Sequence, residues 1–284
     1  MVCLTSESLR QQADYSIYPP YHTGKYLEEY FYAWYTKKNV KSSRKYIDIF
    51  WTNIYCNSAV GKGTRVNIQN ELNCLDPNGS YFTVCQHDDG PMENLPEDTL
   101  IFSAGGNRKH GNIIPIPLIC SKLVNEPINE TKTILCSFIG SLTHPIRKEM
   151  CSRWANDDDF VIGAQEWKAE VPKRNLMLFK TFTSKSTFTL CPRGYGKTSF
   201  RLYEALQLGS IPVYISDEHY LPWTDELDWN EFCVLLKPNQ INNLKEILLT
   251  YNEERIKSMI EKGKSIYNKY FSLNGMCEQI EKRL

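Results

Sequence analysis

The chain has 284 residues, 42% hydrophobic and 23% charged, an ordinary globular composition for one large or two medium domains. Its 33 basic and 33 acidic residues cancel, and short basic clusters such as KKNVKSSRK (37–45) read as solvated turns or helix ends rather than the basic stripe of a nucleic-acid binder. Apolar runs stay far below the ~20 residues that span a bilayer, and the opening MVCLTSESLRQQADYS lacks the basic-then-apolar order of a signal peptide. The expectation is a cytoplasmic protein with no membrane span and no nucleic-acid partner. Ten cysteines occur without a Cys-x-x-Cys pair. Several lie inside apolar runs, Cys136 in TILCSFIG and Cys233 in EFCVLL, where a thiol acts as a small hydrophobe, so reduced buried thiols are expected.

In chain order, TGKYLEEYFYAWYTKK (23–38) reads as an aromatic-rich helix. Strand-like runs follow at KYIDIFWTNIY (45–55), SYFTVCQ (80–86), DTLIFSAGG (98–106) and NIIPIPLI (112–119). The polar, Pro-containing SKLVNEPINETK (121–132) makes a linker. Beyond it, strand-like TILCSFIG (133–140), DFVIGAQ (159–165), STFTLC (186–191), IPVYIS (211–216) and FCVLLK (232–237) alternate with helical patterns. The last helical pattern runs from NNLKEILLTYNEERIKSMIEKGKSIYNKYF. Such alternation argues for mostly parallel sheets covered by helices on both faces. The expected fold is α/β, with two Rossmann-like domains facing each other across a cleft: residues 1–128, residues 129–265, and a C-terminal helix, 266–284, packing back on the first. Ligands of open parallel sheets bind outside the carboxyl ends of the strands, so functional residues should follow the strand runs.

The stretch CPRGYGKTSFRLYEALQLGSIPVYI (191–215) contains GYGKTS, half of a phosphate-binding P-loop. Cys191 stands where the first glycine of that motif belongs, and no Walker-B carboxylate follows, which argues against an NTPase. What remains is a strand ending at Cys191, a basic Gly-containing loop, and a helix starting near Thr198 and Ser199, either of which can cap it. A helix N-terminus beside Arg193 and Lys197 is an anion site. Arg201 and Glu204 share one helix face. Spacing leaves two readings open: a surface ion pair, or a carboxylate one turn inside a phosphate-binding helix that takes two ribose hydroxyls.

The run PRGYGKTSFRLYEALQLGSIPVYISDEHYLPW resembles the signature of the exostosin family, glycosyltransferase family 47. It has the apolar strand, Pro-Arg-Gly, the Ser-Phe-Arg helix start, Glu-Ala-Leu, Gly-x-Ile-Pro-Val and an acidic Leu-Pro segment. TILCSFIGSLTHPIRKEMC (133–151) is similar to the family's Phe-x-Gly…Arg segment, while FTVCQHDDG (82–90) and IIPIPLI (113–119) match looser features. The absence of an anchor and of a long N-terminal region is more similar to short members such as those of large algal viruses.

The resemblance implies a GT-B fold, a UDP-sugar donor, a glycan hydroxyl as acceptor, and inversion without a metal or other cofactor. Asp157, Asp158 and Asp159 precede a strand and read as a solvated turn rather than a metal-binding pair. Family donors carry xylose, galactose or glucuronic acid; xylose is favoured here, because no extra basic cluster is reserved for a uronate carboxylate. Arg147, in the first turn of the helix that Pro145 opens, joins Arg193, Lys197 and Arg201 in neutralising the diphosphate, with a plain surface arginine as its alternative. Thr198 and Ser199 offer hydroxyls to phosphate or serve only as caps, and Glu204 takes the ribose. Residues around Val161–Gln165 are expected to hold the uracil. The general base is expected after SYFTVCQ: Asp88 first, then Asp89 and His87, with His22 in YPPYHTGKY a further candidate. A structural Asp-Gly turn is the alternative there. Tyr15, Tyr18, Tyr21, Trp34 and Tyr35 read as core packing of an amphipathic helix, with an acceptor groove as the other reading. The competing function is a catalytically inactive UDP/glycan-binding module that keeps Arg201 and Glu204 but lacks a usable base.

Overall fold

The computed structural model describes residues 5–12, 24–59, 67–124, 130–168 and 170–284. The chain divides into two compact units, Met1–Ser121 with Leu273–Leu284, and Lys122–Ser272. The division thus falls at 121/122 rather than at 128/129.

The first unit runs α1 (Leu27–Lys38), β1 (Lys45–Tyr46), α2 (Trp51–Ala59), α3 (Ile68–Leu72), β2 (Tyr81–Cys85), β3 (Thr99–Ser103) and β4 (Asn112–Pro115). Its sheet is parallel throughout, in the order β1-β2-β3-β4. Phe31 of α1 meets Tyr46 edge-on at 5.4 Å, and Tyr46 stacks on Phe82 at 4.8 Å. This aromatic layer fixes α1 to the sheet. The run 45–55, expected as one strand, is a strand only over Lys45–Tyr46, and Trp51 onward is helical. Trp51, Ile54 and Tyr55 recur at three and four residues and share a buried cluster with Ile47 and Ile49. The alternation of Ile47, Asp48 and Ile49 ahead of it reads as a strand and masks that helical period.

The second unit runs β5 (Ile134–Ser141), α4 (Pro145–Trp154), β6 (Phe160–Gln165), α5 (Lys173–Lys185), β7 (Ser186–Pro192), α6 (Phe200–Gln207), β8 (Ile211–Ile215), β9 (Val234–Leu236), α7 (Leu244–Leu249) and α8 (Glu253–Ile266). Its parallel sheet has the order β6-β5-β7-β8-β9. The chain first steps outward from β5 to β6, then crosses back to β7 and continues the other way. The direction reverses between β5 and β7, and in doubly wound sheets the ligand crevice opens at that switch point. Phe138, Phe188, Val213 and Leu236 fill the centre of the sheet, while Met150 and Trp154 of α4 join the same cluster.

The long last helical pattern is broken. Asn252 caps α8, its Oδ1 accepting from the Arg255 N–H at 2.8 Å, so α7 and α8 are separate. A π turn, Tyr267–Phe271, closes the second unit, and α9 (Leu273–Glu281) belongs to the first. There Trp34 donates its indole N–H to Asn274 at 3.0 Å, and Tyr35 is buried against Tyr46. These α1 aromatics therefore pack; Tyr15, Tyr18, Tyr21 and His22 lie outside the described residues. Among the described residues the cysteines are thiols, most of them buried, and no helix is long and apolar enough to cross a membrane.

Candidate active site

The residues singled out after β5 and β7 converge at the switch point. β7 ends at Pro192, the loop Arg193–Ser199 follows, and α6 begins at Phe200. Ser199, not Thr198, is the cap: its backbone is extended and its Oγ accepts from the Arg201 N–H at 3.4 Å. Beside it, His144 caps α4, with Nδ1 accepting from the Ile146 N–H at 3.3 Å and Pro145 at the first helical position. Two helix N-termini thus follow the two strands that flank the switch point, and each adds partial positive charge there.

Arg147 is neither a surface residue nor an open phosphate hand. It is 5% exposed, and its guanidinium donates to three carbonyls: Ser141 at 2.9 Å, Arg193 at 2.9 Å and Pro192 at 3.1 Å. It therefore staples the end of β5 to the end of β7, and its charge acts from behind the loop.

Arg193 and Lys197 are also largely buried, each paired with an acid that follows β8. Arg193 Nη1 lies 2.6 Å from Asp217 Oδ1, and Lys197 Nζ lies 2.6 Å from Glu218 Oε2. The Arg193 hydrogen bond holds the Asp217 carboxyl below the usual carboxylate range. Tyr214 donates its hydroxyl to the Lys197 carbonyl, and burial pushes its pKa up to about 12, so it stays a donor. Tyr195 crowns the loop, exposed, its carbonyl accepting from Arg193 at 3.0 Å. The Thr198 hydroxyl is buried without a hydrogen-bond partner among the described residues. Burial, with help from Arg193, lowers the His144 pKa, so its imidazole is neutral at neutral pH. Burial pushes the Cys191 thiol far up, which leaves it a packing residue at the end of β7.

Arg201 lies across β5. Its Nε and Nη2 donate to the Ile139 carbonyl at 2.9 and 2.6 Å, and the guanidinium covers the Phe138 and Phe179 rings. This position requires Gly140, since a Cβ there would fall 2.1 Å from Nη2 of Arg201. Glu204 is 5% exposed, so the surface-pair alternative fails. At the edge strand β6, a cavity of about 290 Å³ opens toward α5, lined in part by Val161, Gly163, Gln165 and Asn175. Asn175 donates to the Gln165 side chain at its wall. The Asp157–Asp159 turn ahead of β6 is held by Lys245, 2.9 Å from Asp157 and 2.7 Å from Asp159.

In the first unit, His87–Gly90 closes β2 as a turn. The Gly90 N–H donates to the His87 carbonyl at 2.9 Å, and Gly90 takes φ +68°, a conformation glycine adopts without strain. Asn107, after β3, donates its N–H to the Asp88 carbonyl and its amide to Asp89 Oδ1, both at 3.0 Å. His87 Nδ1 accepts from the Asp89 N–H at 3.3 Å, which fixes the Nε2–H tautomer and leaves that nitrogen a donor rather than a base. Burial lowers the His87 pKa further. Behind the turn, Glu28 of α1 is fully buried; its Oε1 accepts from the Gln86 and Thr52 N–H groups at 3.1 and 3.0 Å and from the Thr52 hydroxyl at 2.7 Å.

Sequence reasoning overlooked His144, Asp217 and Glu218. The first had a signal, a histidine directly before a helix-opening proline. The acids had one too, since β7 and β8 pair with Pro192 opposite Ile215, which brings the residues after each strand together.

Basic residues and two helix N-termini at the switch point of a parallel α/β sheet are general features of phosphate-binding sites. The exostosin GT47 domain matches residues 66–250, and the chain belongs to that family. It is similar to a probable glycosyltransferase of Arabidopsis thaliana, 27% identical over 159 residues, 56% of this chain and 29% of that protein. It is also similar to the Caenorhabditis elegans exostosin-1 homolog, 34% identical over 87 residues, 31% of this chain and 23% of that protein. The matched region thus spans less than a third of either relative. Among solved structures, S. aureus TarM in complex with UDP, alpha-GlcNAc-glycerol and fondaparinux aligns over 90% of this chain and 58% of its own, at 11% identity and TM-score 0.46.

Proposed function

We propose that this domain is an inverting, metal-independent glycosyltransferase that moves a sugar from a UDP-sugar to a hydroxyl of a glycan acceptor. The observation that carries the reading is the loop Arg193–Ser199: it stands at the switch point, between two capped helices, inside the region that matches the family. The two phosphates would lie against that loop, with the N–H groups of α6 and the Thr198 and Ser199 hydroxyls as donors. Glu204 would take the ribose, and the cavity beside β6 the uracil.

Inverting transfer is one displacement. A base removes the acceptor hydroxyl proton, the new glycosidic bond forms on one face of the sugar, and the bond to the β-phosphate breaks on the other. Negative charge then gathers on the departing UDP. Arg193 and Lys197, fixed before the reaction, stabilise it together with the helix N-termini. Charge-assisted hydrogen bonds contribute about 1.5–3 kcal/mol each, so these cations can supply what a divalent ion supplies elsewhere. Asp88, the first carboxylate after β2, is the proposed base, and His87 keeps a donor tautomer beside it. Xylose remains the sugar favoured from the sequence.

The test is UDP release from UDP-xylose, UDP-galactose and UDP-glucose in EDTA, followed by NMR of the product anomer. Release in EDTA with an inverted anomer supports the reading. Retention, or dependence on added magnesium, contradicts it. UDP binding with no release from any donor favours the non-catalytic binding module.

A further inference from the structure

The two cations of the loop are already matched by acids, and this limits what the donor can bring. The side chains of Arg193 and Lys197 are 11% and 10% exposed, whereas those of Asp217 and Glu218 are 58% and 64% exposed. The cations thus form the inner side of the loop and the carboxylates its solvent side. Lys237, just after β9, adds an ammonium that donates to the Asp217 carbonyl at 2.9 Å. Arg147, Arg193, Lys197, Arg201 and Lys237 therefore stand against Glu204, Asp217 and Glu218, a surplus of two positive charges. A diphosphate diester, at about one negative charge per phosphate, takes up that surplus. Before a donor binds, His144 adds no charge at neutral pH, since burial and Arg193 lower its pKa.

We infer that the site selects a neutral donor sugar and rejects a uronate, with Asp217 and Glu218 as the residues that set the preference. The inference rests on the UDP-sugar reading above. A third negative charge, on the sugar, would exceed that surplus and would meet two carboxylates. A neutral sugar instead offers hydroxyl donors, and a carboxylate has acceptor positions beyond the one that its cation occupies. The buried, unpartnered Thr198 hydroxyl on the same loop is an independent sign of a ligand there. Discrimination of this kind works by repulsion of the wrong substrate as much as by attraction of the right one.

The experiment is isothermal titration of the whole chain with UDP, UDP-glucose and UDP-glucuronate. The two donors differ only in a hydroxymethyl group against a carboxylate. The expected result is UDP-glucose binding at least about tenfold more tightly than UDP-glucuronate, as like-charge juxtaposition demands. The ratio should shrink in Asp217→Asn and in Glu218→Gln, and in wild type as salt is raised. Because the ratio is internal to each protein, it is read even where a variant binds both donors more weakly. Equal affinity for the two donors in wild type, or a ratio that neither substitution nor salt changes, overturns the inference alone. Failure of UDP itself to bind overturns the nucleotide-sugar reading and this inference with it.

Discussion

The loop after β7 and the turn after β2 hold equivalent positions, each at the carboxyl end of a parallel strand, but they are braced in different ways. Arg193–Ser199 is held by side chains from several directions: Arg147 from α4, Tyr214 from β8, and Asp217 and Glu218 beyond it. His87–Gly90 is held by main-chain bonds within the turn and from Asn107, by the Asn107 side chain on Asp89, and by His87 Nδ1 accepting from the Asp89 N–H. Stabilising a departing diphosphate requires charges fixed before the reaction, because reorganisation during it would cost what the site is meant to supply. A base needs only a carboxylate in reach of a hydroxyl, with its backbone anchored. In the proposed mechanism the ion-paired loop meets the diphosphate and the turn after β2 carries the base.

The largest effect should come from the acidic turn. Asp88→Asn is expected to lower turnover by ~10²–10⁴-fold while titrated UDP affinity stays at the wild-type value. Unchanged turnover would move the base elsewhere and dissolve the division of labour. Next, Arg193→Ala should weaken UDP binding by roughly tenfold to a hundredfold, the loss of one charge-assisted contact, with Asp217 left uncompensated beside the site. A smaller and more pointed loss is expected for Gly140→Ala. Its added methyl would displace only the far end of Arg201, so thermal stability should change little while turnover falls about as much as in Arg201→Ala, roughly tenfold. The two substitutions combined should be no worse than either alone; additive losses would show that Gly140 acts by another route.

The smallest effect is a pH dependence. Burial and Arg193 hold His144 neutral, and an arriving anion raises its pKa, so binding takes up a proton. UDP-glucose affinity should therefore rise a few-fold as pH falls from about 7.5 to about 5.5. Calorimetry in buffers of different ionisation enthalpy reads the proton uptake, and His144→Gln should abolish it.

Much of the second unit is legible in the sequence because its strands are short apolar runs with polar loops between them. Cys191 alone separates the loop from an ATPase motif. The run 45–55 misleads because Ile47, Asp48 and Ile49 alternate as a strand does and the aromatics after them prolong that reading, and the helix shows only when Trp51, Ile54 and Tyr55 are seen to share one face. Arg147 was legible as a first-turn cation near the phosphates. Its commitment to three carbonyls was not, since those acceptors belong to two strands far apart in sequence. The acids on Arg193 and Lys197 could have been placed only by knowing that β7 and β8 are neighbours.

The central claim, that the switch-point loop grips the diphosphate of a UDP-sugar without a metal, is tested most directly by thermal shift in EDTA with UDP, UMP and ATP. At a hundred times its dissociation constant a ligand adds about 2.7 kcal/mol, a rise of roughly 5–10 °C for a chain of this size. UDP should produce that rise in EDTA, UMP far less at the same concentration, and Arg193→Ala should cut the UDP shift. Stabilisation by ATP in preference to UDP, or a UDP shift that appears only with magnesium, would contradict the account.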